Sequence, residues 1–533
     1  MTTALLRDAT FPLFDRFLKG GASLVAERFT ARDPFAAQRE IFRDLLRRGA
    51  ETRFGRDYGF ADLASLPFKD AYPRYRFRVP IRSYADFWND YFSQGWSEAG
   101  ERRTLHLENV TWPGKIPFFC ETSGTTAPSK FIPFSNEMFA ANRRAALDMV
   151  CGYLDAKRRS RLFQGRLLYM AGNTELSDLG LGVKSGDMSA ITLRYRPAAL
   201  KPFIAPDAAT AALPWDEKLE AMARLLLNDP SIRGISGVPP WILLLLKRVR
   251  ELGGEPLEKL LPGLELIIHG GTSLKPYASE FAALFPGAAP QFLELLPSSE
   301  AFMGFQLPGE ELMRLTPYYG VFFEFVPVEA LDERGGTPPD APAVPLEQIE
   351  VGRRYAVILT TCAGLWRYHI GDTIRFRAKD PLFIEFTGRD RFLDRFEEKV
   401  TQGEVEEAVA RLNRLSGVEV REFMVGPDIA ARRHLWVLAL RDGERAPHCE
   451  ILARELDGVL RELNADYATF RAQGRIAAPA VVPVGEELIY RWSKEVRGKL
   501  GGQSKIPHID PTLEGELVVS LVGYAAPTLQ AAG

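Results

Sequence analysis

The sequence predicts an α/β protein: a large N-terminal domain of mixed or parallel sheets flanked by helices, followed by a smaller, mobile α+β C-terminal domain. Three observations carry this. Continuous apolar runs, RLLYMA at 166–171, LELIIH at 264–269 and YAVILTT at 355–361, read as strands buried on both faces. Helical stretches alternate with them through Gly-, Ser- and Thr-containing turns, the pattern of strand–turn–helix units. At 533 residues the chain exceeds the ordinary length of one domain. A glycine-containing joint at 388–391 separates two apolar blocks and divides it into 1–387 and 388–533.

Taken in order, residues 35–48 form a helix, and Ser83 opens another after Pro80. Ser135 caps a helix whose apolar positions Phe139, Ala146, Met149, Val150 and Tyr153 fall at helical spacing. Strands follow at 166–171, 234–238, 264–269 and 291–296, with helices at 241–252 and 276–285. The tail reads as a helix from Val405, strands at 418–425 and 434–440, a helix at 450–463 and a strand at 480–484.

Composition narrows the function. Hydrophobic residues at 46% and charged residues at 26% are ordinary for a globular chain. A net charge of −2 argues against a broad nucleic-acid or anionic-membrane surface, so any anion site is local. The four cysteines, far apart and without metal-ligand spacing, read as reduced thiols of a cytoplasmic protein. The N-terminal stretch interrupts its apolar residues with Arg7, Asp8, Asp15 and Arg16, unlike a signal peptide, and no internal run is long enough to span a bilayer. Neither a membrane nor a nucleic acid is expected as a partner. The sequence leaves oligomeric state open, a monomer being the expected form.

The chemistry is organised around 118–134, FFCETSGTTAPSKFIPF. An apolar approach runs into Thr122, Ser123, Gly124, Thr125 and Thr126; Lys130 and a second apolar run follow. Such a loop presents backbone N–H groups, hydroxyls and an ammonium together, which suits a polyphosphate. It is not a Walker A loop. Counting from Gly124 puts Ser129 where the second glycine belongs and Phe131 where the metal-binding hydroxyl belongs.

Downstream, Gly270, Gly271 and Thr272 follow a strand, where either a nucleotide contact or a plain tight turn fits. Ser298, Ser299 and Glu300 close the next strand; a carboxylate there can ligate Mg²⁺, and the same residues also suit a helix cap. The run Tyr368-His369-Ile370-Gly371-Asp372 places an aspartate just after a strand, where it can accept ribose hydroxyls. Gly388, Arg389, Asp390 and Arg391 come next, and Gly501-Gly502-Gln503-Ser504-Lys505 stands near the end.

In this order the motifs resemble those of the adenylate-forming enzymes, the superfamily of acyl-CoA synthetases and luciferase. Most closely they resemble the Gretchen Hagen (auxin-responsive) family of acyl-acid amido synthetases, with its Ser-Ser-Gly-Thr-Ser/Thr, Tyr-Ala-Ser-Ser-Glu and Tyr-Arg-Val-Gly-Asp. The resemblance covers roughly residues 118–507. The chain departs from it at Leu296, in an aromatic slot, at His369, in place of an arginine, and at Ala127-Pro128, where a glycine is frequent.

The resemblance implies ATP and Mg²⁺ as cofactors, and a carboxylic acid and an amino acid as substrates. It implies that Ser123, Gly124, Thr125 and Thr126 hold phosphates with Lys130, and that Ser299 and Glu300 serve the nucleotide and its Mg²⁺. Gly270, Gly271 and Thr272 would meet the adenine edge, Asp372 the ribose, and Tyr368 the nucleotide. Arg389 would stand at the hinge, and Lys505 would reach the reacting carboxylate. Lys505, Lys130 and Glu300 are thus the candidate catalytic residues. Acyl-CoA formation, with a thiol as acceptor, and non-catalytic nucleotide binding stand as alternatives.

Overall fold

The computed structural model describes residues 2–100, 102–122, 130–172, 174–332, 335–338, 341–389, 392–393, 395–396, 398, 400–441, 448–498, 506–512 and 514–532. A twelve-stranded sheet forms the body. Its parallel half runs Ile204–Ala205, Arg166–Tyr169, Ile232–Gly237, Leu266–Gly270 and Gln291–Pro297. At Gln291–Pro297 the direction reverses, and Phe302–Phe305 pairs antiparallel to it. The sheet then continues antiparallel through Met313–Leu315, Phe383–Arg389, Tyr368–Phe376, Arg354–Thr361, Val321–Pro327 and Val344–Pro345.

The local sequence explains the elements around the parallel half. Pro239 and Pro240 stand at the first turn of the helix Pro239–Gly253, where their missing N–H groups leave no bond unmade. Gly254 ends that helix at φ 67°, the left-handed turn that glycine takes without strain. The Ser135 hydroxyl accepts from the Met138 N–H at the start of the helix Asn136–Ala156 and donates to the Cys362 carbonyl at 2.6 Å. One side chain thereby caps a helix and ties it to the antiparallel strands. Ser83 opens the α-turn Tyr84–Phe87 through a reciprocal capping box with Asp86, and the chain continues helically as a π-turn over Trp88–Phe92 and a 3-10 turn over Ser93–Gly95.

Beyond Arg389 a separate three-stranded sheet pairs Val420–Asp428 antiparallel with Arg433–Leu440, and the latter parallel with Ala480–Gly485. Helices Gln402–Ser416 and Cys449–Leu463 bury Val405, Leu412, Leu452 and Leu456 on one face of it. Helices Glu486–Glu495 and Glu516–Ala532 bury Trp492, Val518 and Leu521 on the other. Among the described residues, no helix is long and apolar enough to cross a membrane.

The two bodies meet through buried charge. Glu280, behind the parallel half, pairs with Arg421 and with Lys247 at 2.7 Å. The Tyr277 hydroxyl donates to Glu422 at 3.3 Å. His508 lies between Glu406, 2.9 Å from Nδ1, and Glu422, 3.0 Å from Nε2, and stacks on Phe423. Burial opposes the imidazolium, but the two carboxylates overrule it and raise its pKa from 6.5 to about 10. The folded state holds the proton more tightly, so this stabilisation is full below pH 6.5 and is lost as pH rises through 10. His508→Ala is expected to leave two buried carboxylates uncompensated, at a cost of about 3–5 kcal/mol. The check is a lowered thermal midpoint at pH 6 that converges on wild type as the pH approaches 10.

Candidate active site

A hairpin flanks the segment 123–129. Strands Phe118–Thr122 and Lys130–Phe134 pair antiparallel, and their last pair, Thr122 opposite Lys130, sets the lysine where that segment ends. Phe119, Cys120, Ile132 and Phe134 are buried, which anchors the hairpin in the core. The Lys130 ammonium lies 5.7 Å from the centre of the Tyr84 ring, and the Tyr84 hydroxyl accepts from the Phe131 N–H at 2.8 Å. Ser123, Gly124, Thr125 and Thr126 lie outside the described residues, as does Lys505.

Behind the hairpin sits a group of ionisable side chains. Strand Lys184–Gly186 runs parallel to the approach strand, Gly186 opposite Cys120, and one residue further stands Asp187. The Cys120 thiol is buried and neighbours both Asp187 and Glu300; burial first, then these two carboxylates, push its pKa well above the usual 9.0. Burial likewise raises the Asp187 carboxyl and lowers Lys218, whose ammonium reaches the Gly172 carbonyl at 3.0 Å. Tyr169, at the end of its strand, is raised by burial and by Asp187. Asp187 also caps the helix Met188–Arg194, accepting from the Ser189 N–H at 2.7 Å.

Glu300 is buried in the turn after Gln291–Pro297, a turn closed by the Ser298 hydroxyl, which accepts from the Glu300 and Ala301 N–H groups. Ser299 sits half-buried beside it. Among the described residues no three His, Cys, Asp or Glu side chains gather to hold a metal. A Mg²⁺ that retains waters and phosphate oxygens needs only one or two protein carboxylates, and Glu300 fits that demand.

One strand over, Gly270 leaves no room for a side chain: a Cβ there would lie 2.6 Å from the Leu295 carbonyl oxygen. Gly271 takes φ 88°, open to glycine and strained for other residues. The Thr272 hydroxyl is buried with no hydrogen-bond partner among the described residues. An unpaired buried hydroxyl is costly, so this turn fits a polar ligand edge better than a plain reversal. His269, just before it, is held neutral at pH 7, burial lowering its pKa to about 4.

The third motif departs from the sequence expectation. Asp372 does not follow a strand; it lies inside the nine-residue strand Tyr368–Phe376, buried, with Arg389 as its cross-strand partner. The run 355–361 and the segment at 368 are not strand and loop but two paired strands, turned by Cys362, Ala363 and Gly364. Glycine at 371 with φ 86° masked the continuation, because it reads as a strand end. Tyr368 is buried and packs near Phe87, their centroids 6.1 Å apart. Arg389 is the last residue of the strand Phe383–Arg389. His369 is lowered to about 4 by burial, which Lys130 assists and Asp332 opposes, so the hairpin lysine and this strand are electrostatic neighbours.

Sequence reasoning missed Asp187 and Lys218. Asp187-Met188-Ser189 carries only an N-cap signal, and Lys218 lies on an amphipathic helix, Trp215–Asn228. What makes them notable is the pairing of a short strand with the approach strand, which no local pattern encodes.

Three family models match the chain: the GH3 family N-terminal domain over residues 27–228, its central domain over 315–389 and its C-terminal domain over 403–512. The Arabidopsis thaliana protein named "Probable indole-3-acetic acid-amido synthetase GH3.1" is 30% identical over 285 residues, 48% of this chain and 45% of that protein. The indole-3-acetic acid-amido synthetase GH3.8 of Oryza sativa subsp. indica is 33% identical over 172 residues, 30% of this chain and 27% of that protein. The chain thus spans less than half the length of these relatives. Among solved structures, AtGH3.15 acyl acid amido synthetase in complex with 2,4-DB superposes with a TM-score of 0.72 at 18% identity, over 95% of this chain and 96% of that one. A 2-hydroxyisobutyryl-CoA ligase with 2-HIB-AMP, in its postadenylation state, gives 0.54 at 12% identity, over 93% and 94%. At such identities the superpositions establish the fold.

Proposed function

Because this chain belongs to the GH3 family, we propose that it is an acyl-acid amido synthetase. It uses ATP to activate a carboxylic acid as an acyl-adenylate, releasing pyrophosphate, then transfers the acyl group to the amine of an amino acid, releasing AMP. The observation that supports this reading is Glu300. It is buried in the turn that closes the strand Gln291–Pro297, at the edge where open α/β sheets bind ligands, and its charge is felt at Cys120 on the strand Phe118–Thr122.

The protein's part in the first step is positioning and charge neutralisation. The carboxylate oxygen attacks the α-phosphorus and pyrophosphate leaves. Loop residues Ser123, Gly124, Thr125 and Thr126 and the ammonium of Lys130 oppose the phosphate charge. Glu300 would hold Mg²⁺, which when bound neutralises phosphate oxygens. Thr272 donates to the base edge, with Gly270 and Gly271 allowing close approach. Asp372 accepts from the ribose. The division at 387/388, with movement about 388–391, lets one site serve both steps. The same reading takes the chain as a cytoplasmic monomer acting on small molecules.

The test is acid-dependent ATP–pyrophosphate exchange over a panel of indole, benzoic, phenylacetic and fatty acids, followed by product analysis with amino acids or CoA. AMP and an amide are expected; stoichiometric ADP overturns the adenylation, and a CoA thioester overturns the amide. At Asp372 two effects must be separated. Asp372→Asn is expected to weaken ATP binding by about 1.5–3 kcal/mol for each charge-assisted hydrogen bond lost. Asp372→Ala should in addition lower the thermal midpoint, because the side chain is buried within a strand. Normal ATP affinity in the Asn variant would remove the ribose role.

A further inference from the structure

The chemistry of the second step requires a group that the motifs do not supply. When a neutral amine attacks the acyl carbon, the C–N bond forms and the bond from that carbon to the phosphate oxygen breaks. AMP leaves with the electron pair. The nitrogen becomes strongly acidic as it attacks and must shed a proton while keeping the one that remains in the amide. A base beside the acyl group is therefore needed.

We propose that Asp187 accepts this proton, an assignment that rests on the ligase reading above. Its position comes from the sheet. Strand Lys184–Gly186 pairs with the approach strand, Gly186 opposite Cys120, so Asp187 emerges beside the mouth of the phosphate loop. Of the two carboxylates that neighbour the Cys120 thiol, Glu300 is buried whereas Asp187 is half-buried. The carboxylate is also fixed in place, since it accepts from the Ser189 N–H and hydroxyl.

The other groups facing Asp187 are poor bases. Lys218, from the helix Trp215–Asn228, is engaged with the Gly172 carbonyl. Tyr169 and Cys120 are held in their protonated forms by burial and by Asp187 itself. Burial raises the Asp187 carboxyl against the hydrogen bonds from Ser189 and Ala190 and, last, the charge of Lys218; burial wins, so the carboxylate is more basic than an exposed aspartate. In the full step, neutral amine and acyl-adenylate monoanion give amide and AMP dianion, and the proton resides on Asp187 before passing to water.

Asp187→Asn and Asp187→Ser both retain an oxygen that can cap the helix Met188–Arg194, which guards against loss of the fold. The acid and amino acid used are those that give the fastest wild-type product in the panel. Both variants should keep acid-dependent pyrophosphate exchange within about threefold of wild type, while single-turnover amide formation falls about 10²–10⁴-fold. The part of the acidic limb that belongs to Asp187 should vanish from the amide-formation pH profile, leaving the limb set by protonation of the amine itself. With hydroxylamine, a less basic nitrogen that sheds its proton more readily once it has attacked, the loss should be smaller than with the amino acid.

Equal loss of both half-reactions would make Asp187 a structural cap and overturn the proposal. So would wild-type amide formation in Asp187→Asn, or an unchanged pH profile. Absence of acid-dependent exchange in the wild-type protein is a separate result: it sinks the ligase reading and this assignment with it.

Discussion

Lys505→Ala is expected to lower acid-dependent pyrophosphate exchange by about 10²–10³-fold, the usual cost of removing one preorganised charge from a developing anion. Negative charge builds on the carboxylate and α-phosphate oxygens during adenylation, and an ammonium there stabilises the transition state more than the ground state. Attack by a neutral amine has less use for that cation. Acyl-adenylate supplied to the variant should therefore give amide within about tenfold of wild type, or about 1.4 kcal/mol. Equal losses in both assays would mean that Lys505 serves both steps or holds structure. No loss in either would reduce it to a solvated charge.

Arg367→Met should produce the largest loss of stability. Arg367 is 3% exposed and its guanidinium meets Glu324, itself fully buried, at 3.0 Å. It also donates to the Val79 carbonyl at 2.7 Å, and Tyr72 donates to the same Glu324 at 3.1 Å. Breaking one side of a buried pair strands the other charge, at a cost of about 3–5 kcal/mol. The paired variant Arg367→Met/Glu324→Leu removes both charges and should recover most of this, as read in urea midpoints. If the double variant is no more stable than the single one, the hydrogen bonds to backbone carbonyls carry the energy instead of the ion pair.

Much of the parallel half was legible in the sequence because its strands are continuous apolar runs closed by glycine or proline. The strands at 166, 234, 264 and 291 appear within a few residues of their observed bounds. The antiparallel half was less legible. Val321–Pro327 is fully buried but carries Glu324 at its centre, which breaks the apolar pattern until its ion pair with Arg367 is seen. Asp372 was misplaced for a related reason: a left-handed glycine inside a strand has the same one-dimensional signature as a glycine that ends one.

For the site, Glu300 and the Gly270–Gly271–Thr272 turn stand out locally, since each is a short polar motif closing an apolar strand. Asp187 does not. Its significance depends on a three-residue strand finding its partner some sixty residues earlier in the chain. Likewise nothing near His508 announces that its two carboxylates come from a helix and a strand roughly ninety to a hundred residues away.

The hydrogen-bonded chain from Tyr277 through Glu422 and His508 to Glu406 has a thermodynamic corollary. Tyr277 follows the Gly270–Gly271–Thr272 turn by five residues, and His508 follows Lys505 by three. On the ligase reading proposed above, occupancy of the turn by nucleotide and seating of the tail would then be linked equilibria. Whatever factor seating of the tail adds to nucleotide affinity, nucleotide must add to the seating. Tyr277→Phe removes one link of this chain, leaves the Glu280–Arg421 contact in place, and should weaken the coupling: nucleotide would still bind, but would protect the 506–512 segment from hydrogen exchange less than in wild type.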